Sequence, residues 1–161
     1  MINVYLLLGS NLGDRKLFLD KAIAHIENNI APVLKRSAIY ETQSWGKSDA
    51  TDYLNQVILL QTELGAEVVL EKILAIELLL GRMREEKWGS RNIDIDILFY
   101  GNDIIHEANL QIPHPQLHKR LFTLAPLSEI APDFIHPILK KTISELINGV
   151  NDDLIVKKIY F

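Results

Sequence analysis

The sequence predicts an α+β fold of the ferredoxin-like (split βαβ) type, in which helices pack on an antiparallel-type sheet. Three observations lead to this fold class. Four segments have strand character, two segments follow a helical period, and their order along the chain is β-α-β-β-α-β. The length of 161 residues also favours a single domain over residues 1–161.

The N-terminal pattern predicts the first strand and the first helix. Val4–Leu8 is an apolar run closed by Gly9-Ser10-Asn11, which is typical of a buried strand that ends in a tight loop. The segment from Asp14 to Asn29 then follows a helical period, and Pro32 comes shortly after its end. The predicted core face of this helix consists of Leu17, Phe18, Ala22 and Ile26.

The next two predicted strands flank a polar loop. Val33 to Thr42 alternates loosely between polar and apolar residues, as a strand with one solvated face does. Gln43 to Asp52 is polar and predicts a loop. Tyr53 to Thr62 is rich in Val, Ile and Leu and predicts a second central strand.

A long helix and an alternating strand follow. After Gly65, a helix is predicted from Ala66 to about Met83. Its predicted core face is Val69, Ile73, Ile76 and Leu80. Asn92 to Tyr100 alternates almost throughout, which predicts a strand, and Gly101-Asn102 predicts a hairpin turn into Ile104-Ile105.

Prolines interrupt the rest of the chain. Five of them, from Pro113 to Pro137, predict short helices and loops after Glu107. Thr142 to Asn148, which Gly149 follows, predicts a short helix. The pattern of Asp153–Phe161 fits a strand and a helix equally well.

Composition excludes several classes of protein. The chain has no cysteine, which excludes disulfides, zinc–thiolate sites, iron–sulfur clusters and a cysteine nucleophile. Its net charge of −4 argues against a broad nucleic-acid surface. The N-terminal apolar run is too short to span a bilayer and has no signal-peptide character. We therefore expect a cytoplasmic monomer without nucleic-acid or membrane partners.

The segment Arg91-Asn92-Ile93-Asp94-Ile95-Asp96-Ile97-Leu98 carries the strongest chemical signal. Alternate side chains of a strand share a face, so Asp94 and Asp96 point to one side, roughly 7 Å apart. Their carboxylates repel each other unless a cation lies between them, and hard oxygen ligands favour Mg²⁺. The alternative is an amphipathic strand whose polar face is simply solvated, and this segment alone leaves both interpretations open.

A basic stretch directly precedes this strand. It contains the cations Arg82, Arg84, Lys87 and Arg91. Guanidinium groups match phosphate oxygens, and Mg²⁺-binding carboxylates beside several cations are typical of phosphoryl-transfer sites. A helix C-terminus also favours cations, which would account for Arg82 and Arg84 but not for Arg91 beside the carboxylates.

Several further residues have two interpretations each. Tyr53 and Asn55 share a strand face, which suits a flat heterocycle but also an ordinary sheet edge. His114 and Arg120 lie in a proline-interrupted stretch where loops often bind ligands, although a lone histidine is commonly structural. Trp88 could anchor its loop or cover a bound base.

Together these motifs resemble one family, the 6-hydroxymethyl-7,8-dihydropterin pyrophosphokinases of folate biosynthesis. The resemblance covers nearly the whole chain to about Asn148. It rests above all on the run from Lys87 to Leu98, Lys-Trp-Gly-Ser-Arg-Asn-Ile-Asp-Ile-Asp-Ile-Leu. The other matching segments are Gly9-Ser10-Asn11-Leu12-Gly13, Tyr53-Leu54-Asn55, Glu77 with Gly81-Arg82, Pro113-His114 and Arg120-Leu121-Phe122.

The resemblance implies transfer of pyrophosphate from the co-substrate ATP to the hydroxymethyl group of the pterin, with release of AMP. Asp94 and Asp96 would hold two Mg²⁺ ions and would form the catalytic set with Arg82 and Arg91. The implied nucleotide contacts are Arg82, Arg84, Trp88, Arg91, Ile97, His114 and Arg120, with Glu77 in a supporting role. The implied pterin contacts are Thr42, Trp45, Tyr53, Asn55 and Phe122.

Two other functions are compatible with parts of this pattern. One is a non-catalytic ligand-sensing domain of the same fold, which would have no need of paired aspartates beside Arg91. The other is a kinase that transfers a single phosphate, although the chain lacks the Walker A and protein-kinase motifs. Product analysis separates the two enzymes, because one releases AMP and the other releases ADP.

Overall fold

The chain alternates strands and helices in the predicted order before a C-terminal part with two further helices. A computed structural model describes residues 1–43, 52–81 and 92–161. Within these ranges the elements are β1 (Ile2–Ser10), α1 (Arg15–Asn29), β2 (Val33–Arg36), β3 (Ile39–Thr42), β4 (Tyr53–Thr62), α2 (Ala66–Leu79), β5 (Asp94–Tyr100), β6 (Ile105–Glu107), β7 (Leu110–Ile112), a 3₁₀ turn (Leu117–Lys119), α3 (Leu121–Ile130), α4 (Ile143–Gly149) and β8 (Val156–Ile159).

The main sheet of the described chain has six strands, and every pairing in it is antiparallel. The strand order is β5-β1-β4-β3-β8, and β2 also pairs with β4. β1 and β4 form the centre in one continuous register, from Ile2 opposite Thr62 to Ser10 opposite Leu54. The predicted α+β class of ferredoxin-like type is confirmed.

The two faces of the sheet carry separate cores, because side chains alternate along each strand. Leu6 and Leu8 of β1 pack in the core that α1 and α2 cover, whereas Tyr5 and Leu7 pack in the core beneath α3 and α4. The layers are therefore the α1/α2 pair, the sheet and the α3/α4 pair. Polar side chains collect at one end of the second face, beyond its apolar core.

The two long helices agree with their predicted patterns except at their ends. Asp14 caps α1, since its carboxylate accepts from the backbone N of Leu17 at 3.1 Å. Leu17 itself is 44% exposed, so its assignment to the core is wrong. It lies in the first turn on the outer side of the buried stripe formed by Leu19, Ala22, Ile23 and Ile26.

The core face predicted for α2 is confirmed, but the helix is shorter than predicted. Val69, Ile73, Ile76 and Leu80 are all buried. The described helix ends at Leu79 instead of continuing to Met83. Gly81 follows with a φ of +90°, a left-handed conformation that ends helices and that glycine adopts without strain.

The strand predicted over Val33 to Thr42 is two strands, separated at Ser37. Its side-chain oxygen accepts from the backbone N of Val57 at 3.0 Å, and its backbone N donates to the Val57 carbonyl at 2.9 Å. The hydroxyl thus takes the place of a backbone carbonyl in the ladder. The regular pairing is interrupted there, which separates β2 from β3.

The predicted hairpin after β5 has a different partner. Ile105 lies opposite Ile112, so β6 pairs with β7 in a separate small sheet instead of returning along β5. The outer edge of β5 is already occupied, since the backbone N of His114 donates to the Leu98 carbonyl at 3.0 Å. Glu77 contacts the same edge nearer the start of the strand.

The short C-terminal helix is confirmed, and the last segment is a strand. Thr142 and Glu145 form a capping box at the start of α4. Within Asp153–Phe161, β8 pairs with β3, with Thr42 opposite Val156. Among the helices in the described parts of the chain, none has the length and apolar character needed to cross a membrane.

His136 connects pH to stability in the α3/α4 layer. Its side chain is 4% exposed and lies edge-on to Phe99, with the two ring centroids 5.5 Å apart. Nδ1 accepts from the backbone N atoms of Ile138 and Leu139, each at 3.1 Å. Burial, with a smaller contribution from nearby His118, lowers the pKa of His136 from 6.5 to about 4.

We expect this histidine to make the fold acid-sensitive. Below pH 6.5 the unfolded chain binds a proton at His136 that the folded chain does not bind until about pH 4. Its contribution to the free energy of unfolding should therefore fall by about 2 kcal/mol between pH 7 and pH 5. The measurement is urea unfolding at both pH values for the unmodified protein and His136→Asn, which keeps an acceptor in place of Nδ1. An equal pH dependence in both proteins would refute the assignment.

Candidate active site

A cleft of about 910 Å³ opens on the α3/α4 side of the sheet. One wall comes from the ends of four neighbouring strands, and the facing wall comes from the start of α3 and the C-terminal segment. The lining residues are Leu7, Gly9, Thr42, Gln43, Tyr53, Asn55, Asp94, Asp96, Gln116, Lys119, Arg120, Phe122, Asn151, Asp152, Asp153 and Leu154.

Strand register brings the predicted residues together. Gly9 at the end of β1 lies opposite Asn55 of β4 on one side and opposite Asp94 of β5 on the other. Thr42 at the end of β3 lies opposite Tyr53. Residues directly opposite each other in an antiparallel pair share a face. The carboxylates and the candidate pterin contacts therefore lie side by side across β1.

Gly9 forms the floor of the cleft between these two groups. A Cβ atom at this position would lie 2.9 Å from Oδ1 of Asn55, which is closer than van der Waals contact allows. The side chain of Asn55 is buried, and its Nδ2 lies 3.4 Å from Oγ1 of Thr42. Glycine is thus needed here because another strand's side chain occupies the space above it.

Asp94 and Asp96 lie on the cleft face of β5, as the strand period predicts. Both are half-buried, while Ile93, Ile95 and Ile97 are buried in the α1/α2 core. Within residues 1–43, 52–81 and 92–161, no group of three or more His, Asp or Glu side chains could hold a metal ion. Two carboxylates do fit Mg²⁺, which commonly binds one or two protein carboxylates and completes its shell with phosphate oxygens and water.

Two contacts hold the outer edge of β5, the edge that does not pair with β1. Oε2 of the buried Glu77 accepts from the backbone N of Ile95 at 2.7 Å. The backbone N of His114 donates to the Leu98 carbonyl at 3.0 Å. Because Ile95 lies between the two aspartates, Glu77 anchors the strand that carries them. It is not among the residues that line the cleft, and its described contact is with the strand, so its supporting role toward the nucleotide stays a prediction.

His114 is not among the cleft-lining residues but lies within the electrostatic influence of Asp96, and one of its ring nitrogens is already engaged. Nδ1 accepts from the backbone N of Gln116 at 3.1 Å. Burial lowers the pKa of His114; the charge of Asp96 acts in the opposite direction, and the charge of Arg120 lowers it further. In the neutral imidazole with Nδ1 as an acceptor, the proton is on Nε2. That N–H can donate to an anionic ligand.

The other side of the cleft suits a flat ring. Tyr53 lines it from the sheet and Phe122 from α3, and Thr42 and Asn55 also line it from the sheet side. The guanidinium carbon of Arg120 lies 5.5 Å from the Phe122 ring centroid. Two aromatic side chains, an amide and a hydroxyl can stack on a heterocycle and hydrogen-bond to its edge.

The structure does not bring every predicted residue to the cleft. Ile97 is 6% exposed in the α1/α2 core, so its side chain does not line the cleft. The physical reason is the strand period, which places Ile97 on the face opposite Asp96. Several predicted residues lie outside the described parts of the chain: Trp45, Arg82, Arg84, Trp88 and Arg91.

Some lining residues were not predicted from the sequence. Gln116 and Lys119 follow His114, so their proximity could have suggested them. Asn151 to Leu154 form part of the facing wall. Their position depends on the pairing of β8 with β3, for which the local sequence pattern contains no signal.

Comparison with known proteins gives a consistent result. The 7,8-dihydro-6-hydroxymethylpterin-pyrophosphokinase (HPPK) family matches residues 5–132. A 2-amino-4-hydroxy-6-hydroxymethyldihydropteridine pyrophosphokinase from Aquifex aeolicus is 43% identical over 145 residues, which are 90% of each chain. A relative of the same name from Haemophilus influenzae is 38% identical over 160 residues, which are 98% of each chain.

Solved structures share the fold at lower identity. Wild-type Plasmodium falciparum HPPK-DHPS with SDX-DHP superposes with a TM-score of 0.73 and 19% identity over 92% of this chain. This chain spans 43% of the length of that one. A likeness at this level of identity concerns the fold alone.

Proposed function

This chain belongs to the 7,8-dihydro-6-hydroxymethylpterin-pyrophosphokinase family, and we propose on that basis that its cleft is the active site of such an enzyme. The reaction transfers pyrophosphate from ATP to the hydroxymethyl group of 6-hydroxymethyl-7,8-dihydropterin and releases AMP, as a step of folate biosynthesis. One structural observation supports this proposal most strongly. The register across β1 places the Asp94 and Asp96 carboxylates beside the face that carries Tyr53 and Asn55.

The carboxylate side of the cleft is the proposed polyphosphate site. Asp94 and Asp96 would hold two Mg²⁺ ions. Bound Mg²⁺ would neutralise phosphate charge and orient the polyphosphate. Nε2 of His114 and the guanidinium group of Arg120 are proposed as donors to phosphate oxygens, since Arg120 lines the cleft and His114 lies within the electrostatic influence of Asp96. Arg82, Arg84 and Arg91 are proposed as further phosphate contacts, and Trp88 as a contact of the adenine base.

The aromatic side is the proposed pterin site. The pterin ring would stack between Tyr53 and Phe122, and Asn55 and Thr42 would hydrogen-bond its edge. Trp45 is proposed as an additional contact. Asn55 and Asp94 lie on the two strands that flank Gly9. In the proposed pose, a pterin held at Asn55 would point its hydroxymethyl group toward the carboxylates.

The chemistry then requires positioning and charge stabilisation more than a covalent intermediate. The hydroxyl oxygen of the pterin forms a bond to the β-phosphorus of ATP as the hydroxyl proton passes to water. The bond between the β-phosphorus and the α–β bridging oxygen breaks, and AMP leaves with that oxygen. His114 and the arginines stabilise the charge on the transferred group by donating to its oxygens.

We further propose that residues 1–161 act as a single pyrophosphokinase domain, as a cytoplasmic monomer with small-molecule substrates only. The net charge of −4 agrees with small-molecule substrates and argues against a broad nucleic-acid surface.

Chromatography of adenine nucleotides tests the proposed reaction. The protein is incubated with Mg²⁺, ATP and 6-hydroxymethyl-7,8-dihydropterin, and a parallel sample omits the pterin. We expect AMP only in the complete mixture. ADP in place of AMP would indicate transfer of a single phosphate, and a folded protein without any nucleotide turnover would favour a ligand-sensing domain.

A further inference from the structure

The helix that carries the aromatic wall has no cap of its own. α3 begins at Leu121, and its N-cap residue is Arg120, whose side chain makes no capping hydrogen bond. The first backbone N–H groups of a helix have no partner within the helix. Most helices satisfy one of them with a Ser, Thr, Asp or Asn side chain at the N-cap position, and arginine cannot do so.

Asp152, from the distant C-terminal segment, supplies the missing acceptor. Its Oδ2 accepts from the backbone N of Leu121 at 3.0 Å. Its other oxygen, Oδ1, accepts from the backbone N of Leu154 at 3.0 Å. A single carboxylate thus joins the first turn of α3 to the C-terminal segment, and its negative charge lies at the helix end that favours anions.

The C-terminal segment is itself held on the sheet. β8 pairs with β3, with Lys157 opposite Glu41. The backbone N of Gln43 also donates to the Ile155 carbonyl at 3.3 Å. This pairing therefore fixes the segment that carries Asp152 relative to β3, the strand that ends at Thr42 in the cleft.

We propose that Asp152 is a positioning residue for the pterin, acting through Phe122. It holds the first turn of α3 so that the Phe122 ring stands at a set distance from the sheet that carries Tyr53 and Asn55. This inference rests on the proposed function, since it assigns Phe122 to the stacking of the pterin. Asp152 does not need to touch the pterin, because it acts on the helix backbone next to Phe122.

Three variants distinguish a positioning role of Asp152 from an effect of its negative charge alone. Asp152→Ala removes both acceptor oxygens, and Asp152→Asn keeps the shape and one acceptor. Asp133→Ala is the matched control, because Asp133 is an exposed carboxylate that does not line the cleft. The readouts are hydrogen exchange of the Leu121 backbone amide, and kcat and KM measured separately for the pterin and for ATP.

We expect faster exchange of the Leu121 amide in Asp152→Ala and a pterin KM raised about fivefold, the effect of losing one helix cap. The KM for ATP should change less than twofold. Asp152→Asn should lie between Asp152→Ala and the unmodified protein, and Asp133→Ala should match the unmodified protein.

Two results would overturn the inference. One is a Leu121 amide that exchanges at the same rate in Asp152→Ala as in the unmodified protein. The other is an equal rise of the pterin KM in Asp133→Ala, which would make the loss of one negative charge the cause. Failure of the proposed function is distinguishable, because it would appear as absent turnover in the unmodified protein.

Discussion

Asp96→Ala is expected to lower kcat by about 10³-fold, because it removes one of the two carboxylates proposed to hold the metal ions. Asp96 is half-buried on the cleft face of β5, and Ile95 and Ile97 on either side of it fill the core. Replacing Asp96 therefore leaves the packing of the strand unchanged. The large effect should fall on turnover and not on folding.

The measurement is steady-state turnover at saturating Mg²⁺, together with the thermal unfolding midpoint. Asp103→Ala serves as the control, since Asp103 is an exposed carboxylate in the turn after the same strand. We expect turnover of the control and the midpoints of both variants to stay close to those of the unmodified protein. Near-normal turnover of Asp96→Ala would show that the metal assignment is wrong.

Gly9→Val is expected to raise the pterin KM by about a hundredfold. Even the Cβ of an alanine would lie 2.9 Å from Oδ1 of Asn55, and the two further methyl groups of valine extend into the floor of the cleft. Asn55 would have to move from its place beside Thr42. Overpacking together with a displaced polar group costs on the order of 3 kcal/mol, which corresponds to about two orders of magnitude in affinity.

A second glycine provides the matched control for this prediction. Gly149, the last residue of α4, has no atom within 4 Å of its added Cβ position. Gly149→Val should therefore leave the pterin KM unchanged. If Gly9→Val bound the pterin as well as Gly149→Val does, the pterin would not lie above Gly9.

The period-two alternation of β5 is enough to predict the carboxylate side of the candidate site. The alternation in the sequence around Asp94 and Asp96 is enough to place both on one face, because a strand of this length has no other way to bury its isoleucines. The same period places Ile97 on the opposite face. Its inclusion among the nucleotide contacts came from the resemblance, and the strand geometry does not support a side-chain contact.

Other features depend on long-range pairing and could not be predicted from local pattern. Glu77 meets the backbone N of Ile95 because α2 crosses the edge of β5. The sequence pattern of the C-terminal segment fits a strand and a helix equally well. The structure shows a strand, because the segment pairs with β3. That pairing brings Asp152 to α3. The residues that form the facing wall of the cleft could therefore not be predicted from the local sequence.

ATP labelled at one phosphorus tests whether the enzyme transfers pyrophosphate as a unit. The protein is incubated with Mg²⁺, the pterin and ATP carrying ³²P in the β-phosphate, and the pterin product is then separated from the nucleotides. Transfer of pyrophosphate as a unit predicts that the label appears in the pterin product and that the released AMP is unlabelled. Label that remains in ADP, with none in the pterin product, would show that a single phosphate is transferred and not pyrophosphate.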